Sequence, residues 1–204
     1  TRICLITEQN QYMHLPVPLH GEHQAVNCGV ALAAISHLQS KEKAIDDSKI
    51  FRGLAETDLP GRMEIVWEQP RILVDGAHNP IALSTLMRSI GAHVPYDSMI
   101  CIFGCCEDKD IDTMLDNLAI GGDKIIFTAA AGQPRAVEPA ELQRRFIERR
   151  GRACQIADNI GEALEIAARA ASRDDLICVT GSFYLVGDTK SHLAKLKERR
   201  SSTA

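Results

Sequence analysis

The rhythm of apolar positions along the chain changes near residue 58. Before that point the pattern predicts helices. Gly21-Glu22-His23-Gln24 opens a helical stretch to about Gln39. Ala25, Val26, Val30, Ala31, Ala33, Ala34 and Leu38 give it a broad face of small apolar residues, which allows close packing. A second helix is predicted over residues 45–55. Residues 1–20 read as irregular, with a strand-like Ile3-Cys4-Leu5-Ile6, and Pro16 and Pro18 argue against a helix. Asp58-Leu59-Pro60-Gly61 then breaks the pattern.

After the break, short β-rich runs alternate with amphipathic helical stretches. Strands are predicted at residues 63–67, 71–74, 98–103, 124–128, 153–156 and 176–180, and helices at 80–90, 111–118, 138–149, 160–172 and 183–199. This alternation predicts a Rossmann-like α/β fold, a mostly parallel sheet with crossover helices on both faces. Val, Ile and Cys fill several strands without alternation, as strands covered on both faces require. Only Glu68-Gln69-Pro70 joins the first two, which predicts a hairpin and so one antiparallel strand. The expected organisation is a helical remnant over 1–57 followed by a domain over 58–204.

Composition narrows the function classes. A formal net charge of -4 disfavours nucleic acid as the partner, because phosphate binding needs a basic face. The basic runs at 144–145, 149–150 and 195–200 sit among acids and read as solvated helix faces. No apolar run approaches the roughly 18 residues of a membrane span. Seven cysteines, several in apolar strand-like runs, read as small buried hydrophobes of a reducing, cytoplasmic compartment. There is no Cys-x-x-Cys pair, and the adjacent Cys105-Cys106 is poorly spaced to hold one metal. His20, Glu22 and His23 lack the i, i+4 pair of helical zinc sites, so no metal is expected there. The chain opens at Thr1 inside an apolar stretch, and a piece of a longer protein, or a product of processing, is the expectation.

In an open parallel sheet, ligands bind beyond the carboxyl ends of the strands, and three unusual clusters fall there. The first is Asp75-Gly76-Ala77-His78-Asn79-Pro80. Asn79 suits an N-cap and Pro80 the first helical position. Asp75 is a natural acceptor for ribose hydroxyls, and His78 near a helix N-terminus can donate to a phosphate. A tight strand-to-helix turn explains the same run equally well. The second is Thr180-Gly181-Ser182-Phe183-Tyr184, where Ser182 reads either as a helix cap alone or as part of an anion site. The third, Phe103 to Asp110, reads first as a structural cap, with Asp108 capping the following helix. Arg135, in the loop from Gly132, reads as a solvated arginine.

Together these runs resemble one family. His23-Gln24-x-x-Asn27, Leu59-Pro60-Gly61-Arg62, Asp75 to Pro80, Asp108-Lys109-Asp110 and Gly181-Ser182-x-Tyr184 occur in the order found in the second half of bacterial folylpolyglutamate synthase/dihydrofolate synthase, of the Mur ligase superfamily. The resemblance covers nearly the whole chain. It implies a ligase that uses ATP and Mg²⁺ to activate a carboxylate of folate or dihydropteroate for attack by L-glutamate. It places Asn27 near the adenine, Arg62 on the nucleotide, Asp75 on the ribose, His78 by the phosphates and Ser182 on the glutamate side, with Asp75 and His78 as the catalytic pair. The phosphate-binding run Gly-x-x-x-x-Gly-Lys-[Ser/Thr] is absent from the sequence. The resemblance therefore makes residues 1–57 the tail of a central ATP-binding domain whose phosphate loop and Mg²⁺ ligands lie upstream. These 204 residues alone are expected to be inactive, and the missing N-terminal domain, or self-association through 1–57, is expected to cover exposed apolar surface. Two other readings remain: a non-catalytic nucleotide-binding module, and a peptidoglycan-type ligase.

Overall fold

The computed structural model describes residues 2–6, 11–19, 21–39, 41 and 45–202, without the side chains of Ile3, Leu5 and Glu22. The chain divides into two compact units, Thr1–Pro60 and Gly61–Ala204.

The first unit opens with strands β1 (Arg2–Ile6) and β2 (Gln11–Pro16), paired antiparallel with Arg2 opposite Pro16. Helices α1 (Glu22–Gln39) and α2 (Asp47–Ala55) follow. Asp46 caps α2 by accepting from the Lys49 amide. Tyr12, Leu15, Val17, Cys28, Leu32, Ile50 and Leu54 form a small core. The sequence pattern lacked β2: Pro16 stands at its last residue, where the proline costs no ladder bond in the strand interior. A helical remnant alone is thus corrected to a hairpin followed by two helices. On α1, Val26 and Val30 remain 64% and 67% exposed.

The second unit holds a six-stranded sheet in the order β3-β4-β8-β5-β6-β7. Its strands are β3 (Glu64–Glu68), β4 (Arg71–Val74), β5 (Met99–Phe103), β6 (Lys124–Phe127), β7 (Gln155–Ile156) and β8 (Leu176–Thr180). β3 and β4 form the predicted antiparallel hairpin, and the other neighbours are parallel. Helices α3 (Pro80–His93), α4 (Ile111–Gly121), α5 (Pro139–Arg150), α6 (Ile160–Ala170) and α7 (Phe183–Ser201) make the crossovers and the final cover.

The period of two along each strand divides the core. Leu73, Cys101, Phe103, Ile125, Phe127 and Cys178 face one side, packed on Leu83, Leu86 and Ile90 of α3, Met114 and Leu118 of α4, and Phe146 of α5. Ile72, Val74, Ile100, Ile102, Ile126, Ile177 and Val179 face the other, packed on Ala163, Leu164 and Ala167 of α6 and Leu185, Val186 and Leu193 of α7. Both faces are covered, so β5 and β8 are buried at every position. Among the described residues no helix is long and apolar enough to cross a membrane.

Candidate functional site

β4 and β8 are adjacent and parallel, so the turns that leave their carboxyl ends lie side by side. Helices α3 and α7 start from these turns, and their positive dipole ends share the same edge of the sheet. The backbone ties the turns together: the Asp75 amide donates to Val179 O at 3.0 Å, and the Gly181 amide to Ala77 O at 3.0 Å. Gly181 sits at φ +107°, and a Cβ there would lie 2.5 Å from Gly104 O, so this position needs glycine. The turn after β5 joins the same group through Gly104, whose amide donates to Thr180 O at 3.3 Å.

Asp75 organises the first turn. It is 5% exposed, and its two carboxylate oxygens accept from the backbone amides of Met63 at 2.9 Å and Ala77 at 2.8 Å. Met63 has φ +45°, a left-handed conformation costly for a residue with a long side chain, and the charged acceptor helps hold it. The Gly76 amide donates to Gly61 O at 2.8 Å, which fastens the turn to the segment before β3.

His78 is half-buried, with Nδ1 2.9 Å from Gly76 O. A carbonyl only accepts, so Nδ1 carries hydrogen and donates. Nε2 can then donate to an anion only in the imidazolium form. Asn79 caps α3 by accepting from the Ala82 amide at 2.8 Å, with Pro80 in the first turn. Ser182 is 6% exposed and caps α7, its Oγ accepting from the Leu185 amide at 3.1 Å. Both the turn and the cap readings are therefore real features of these runs, beside any ligand role.

Arg62 stacks its guanidinium 4.7 Å from the centre of the Phe183 ring, and the His78 ring lies 6.2 Å from the same ring. Asp75, His78, Arg62 and Ser182 thus belong to one neighbourhood at the edge where α3 and α7 begin. Asn27 belongs to the first unit, where it lies exposed on α1 and donates to Gln24 Oε1 at 3.1 Å. His20 and the Glu22 side chain lie outside the described residues. Among the described residues no three His, Cys, Asp or Glu side chains converge to hold a metal ion.

The third cluster differs in detail from its sequence reading. Asp110, not Asp108, caps α4, accepting from the Thr113 amide at 3.2 Å. Asp108 instead holds Lys109 Nζ at 2.7 Å and faces Arg135 at 3.9 Å; the Lys109 hydrogen bond keeps its carboxyl below the usual range. Arg135 is exposed, as its sequence reading expects. Cys105 and Cys106 are buried, and desolvation pushes the Cys105 thiol up to about 12. They zip the β5 and β6 turns together, Cys105 O accepting from Val137 and Cys106 bridging Ala136.

Two contributors were not singled out from the sequence. Phe183 reads as an ordinary first-turn residue until the Arg62 and His78 contacts are seen. Glu64 accepts from Lys190 Nζ at 2.7 and 2.9 Å and from the Gly61 amide at 2.7 Å, clamping α7 to the approach to β3. Burial raises its pKa, but the bonds from Lys190 and Gly61 outweigh that and hold it below the ordinary value.

Comparison with known proteins agrees with this architecture. Residues 61–183 match the model of the Mur ligase glutamate ligase domain. The dihydrofolate synthase/folylpolyglutamate synthase of Escherichia coli K12 is 32% identical over 93% of this chain and 41% of its own length. The solved structure of Mycobacterium tuberculosis folylpolyglutamate synthase complexed with ADP superposes with a TM-score of 0.81 and 28% identity over 89% of this chain and 42% of that one. The Yersinia pestis bifunctional folylpolyglutamate synthase/dihydrofolate synthase, complexed with AMPPNP and Mn ion, gives 0.78 and 27% identity over 93% and 43%. The chain spans less than half the length of each of these proteins. By the match over residues 61–183 the chain belongs to the Mur ligase family, and that segment is its glutamate ligase domain.

Proposed function

We propose that this chain supplies the C-terminal side of an ATP-dependent ligase that joins L-glutamate to folate, or to dihydropteroate, through an amide bond. The observation that carries the proposal is the meeting of the Asp75 turn, Arg62 and the Ser182 helix start at the carboxyl ends of β4 and β8, in a chain of the glutamate ligase family. Relatives that bind ADP and AMPPNP support the nucleotide.

In this reading a carboxylate oxygen of the folate attacks the γ-phosphorus of ATP, the bond to the β-phosphate oxygen breaks, and ADP leaves an acyl phosphate. The glutamate amine then attacks the acyl carbon, loses a proton and expels phosphate. Asp75 holds the turn and accepts from the ribose hydroxyls. Arg62 pairs with the nucleotide phosphates, and His78 lies by them. Asn27 serves the adenine surroundings from the first unit. Ser182, at the start of α7, offers its hydroxyl and helix end to a carboxylate of the incoming glutamate. Asp75 and His78 are the residues this reading assigns to catalysis.

The described residues do not form a magnesium site, and no Gly-x-x-x-x-Gly-Lys-[Ser/Thr] run occurs in the 204 residues. The reading assigns Mg²⁺ and the phosphate loop to an ATP-binding domain outside them, of which residues 1–57 are the tail, and these residues alone are then inactive. Residues 58–204 are the C-terminal Mur-ligase-type domain. The exposed Val26, Val30 and Leu38 of α1 suit burial against that domain, or self-association in its absence. The reading expects a cytoplasmic enzyme.

Kinetics on the complete protein test the assignment of sides. Arg62→Ala is expected to raise the KM for ATP, and Ser182→Ala the KM for glutamate while leaving that for ATP nearly unchanged. If Ser182→Ala raises only the ATP KM, Ser182 belongs to the nucleotide side and the glutamate assignment is wrong.

A further inference from the structure

Phe183 is an apolar side chain that joins neither core cluster and is 44% exposed. Burial of its own surface therefore does not explain its place. Its contacts do. The ring lies against the backbone of Gly76, where a Cβ would come within 2.4 Å of it, and against Gly61, where a Cβ would come within 3.3 Å. These two glycines are the pair bonded through the Gly76 amide and Gly61 O. One ring face carries the Arg62 guanidinium at 4.7 Å, and the His78 ring lies 6.2 Å away at an interplanar angle of 50°. The ring follows the left-handed Gly181 by two residues.

We propose that Phe183 is a positioning residue for the nucleotide end of the site: its ring holds Arg62 by cation–π stacking and backs the Gly61–Gly76 contact that sets the turn carrying Asp75 and His78. The inference rests on reading this edge as the ATP site. Arg62 hangs on several rotatable bonds and would lose that freedom on binding a phosphate; a ring that already holds the guanidinium reduces the loss. The aromatic face is what matters, since its negative quadrupole attracts the cation and an aliphatic side chain of similar size has none. Phe183 touches no reacting atom in this account and acts through Arg62 and the turn.

The test uses the complete protein with Phe183→Leu, which keeps apolar bulk, and Phe183→Tyr, which keeps the ring. The strength of a cation–π contact converts to a rise in ATP KM of roughly three- to thirtyfold in Phe183→Leu. The glutamate KM is expected to stay unchanged, and Phe183→Tyr to restore the ATP KM. Adding Arg62→Ala to Phe183→Leu should raise the ATP KM no further than Arg62→Ala alone. An unchanged ATP KM in Phe183→Leu, or equal losses for Leu and Tyr, overturns the proposal. Fully additive effects of the two substitutions do the same. A second readout is independent of ligation: in the ligand-free protein the Arg62 Nε–H proton resonance should carry a ring-current shift that Phe183→Leu removes. Absence of that shift in the wild type defeats the proposal. If the shift is present but the wild type makes no amide product and binds no ADP, it is the ligase reading that fails.

Discussion

The carboxylate of Asp75 satisfies two buried amides, of Met63 and Ala77, that no ladder reaches. Asp75→Ala leaves both unpaired, and the expected cost is about 1–3 kcal/mol in urea unfolding, with weakened nucleotide use in the complete protein. A variant as stable as the wild type would show that water replaces the carboxylate there. The Glu64–Lys190 clamp sets a pH dependence. Its pKa in the folded protein is depressed, so the stability it contributes is present above the unfolded pKa and is lost as pH falls through the folded one. Glu64→Gln removes that titration, so its thermal stability should fall less than that of the wild type between neutral and acid pH. Equal acid losses in the two proteins would remove Glu64 from the pH response. At this scale the sequence showed that Asp75 and Ser182 stand at strand ends. It did not show that Asp75 accepts from the Met63 amide, because that partner depends on how the segment before β3 is brought alongside.

Local signals read well where each element carries its own boundary marks. Asn79-Pro80 opens α3 and Ser182 caps α7, and each helix begins where such a residue stands. Asn79→Ala should destabilise the second unit by about 1 kcal/mol, measurable as a lower melting temperature. No change would mean that Pro80 and packing alone fix the start of α3. The cap read at Asp108 is taken instead by Asp110, while Asp108 turns to Lys109 and Arg135. β2 was not legible because its partner β1 supplies the pairing, and the prolines at its end argued against regular structure. The β3–β4 hairpin was legible because a three-residue link leaves no room for a crossover.

Across the whole molecule, alternating strands and helices specify the parallel sheet, and the period of two sorts side chains to its two faces. The order β3-β4-β8-β5-β6-β7 was not legible, since the insertion of the last strand between β4 and β5 depends on long-range pairing. That insertion puts the Ser182 turn beside the Asp75 turn, and so builds the candidate site. The exposed Val26 and Val30 of α1 belong to this scale too. The 204-residue chain by itself should show concentration-dependent association in sedimentation velocity, reduced by Val26→Ser with Val30→Ser; a monomer at all concentrations would count against self-association. The central claim is tested most directly by incubating the complete protein with ATP, L-glutamate, and either dihydropteroate or a folate, and resolving the products. The account predicts ADP release that needs both the folate and glutamate, with a product heavier by one glutamyl residue. Nucleotide binding without any such product, or ligation onto a muramyl nucleotide instead, would contradict it.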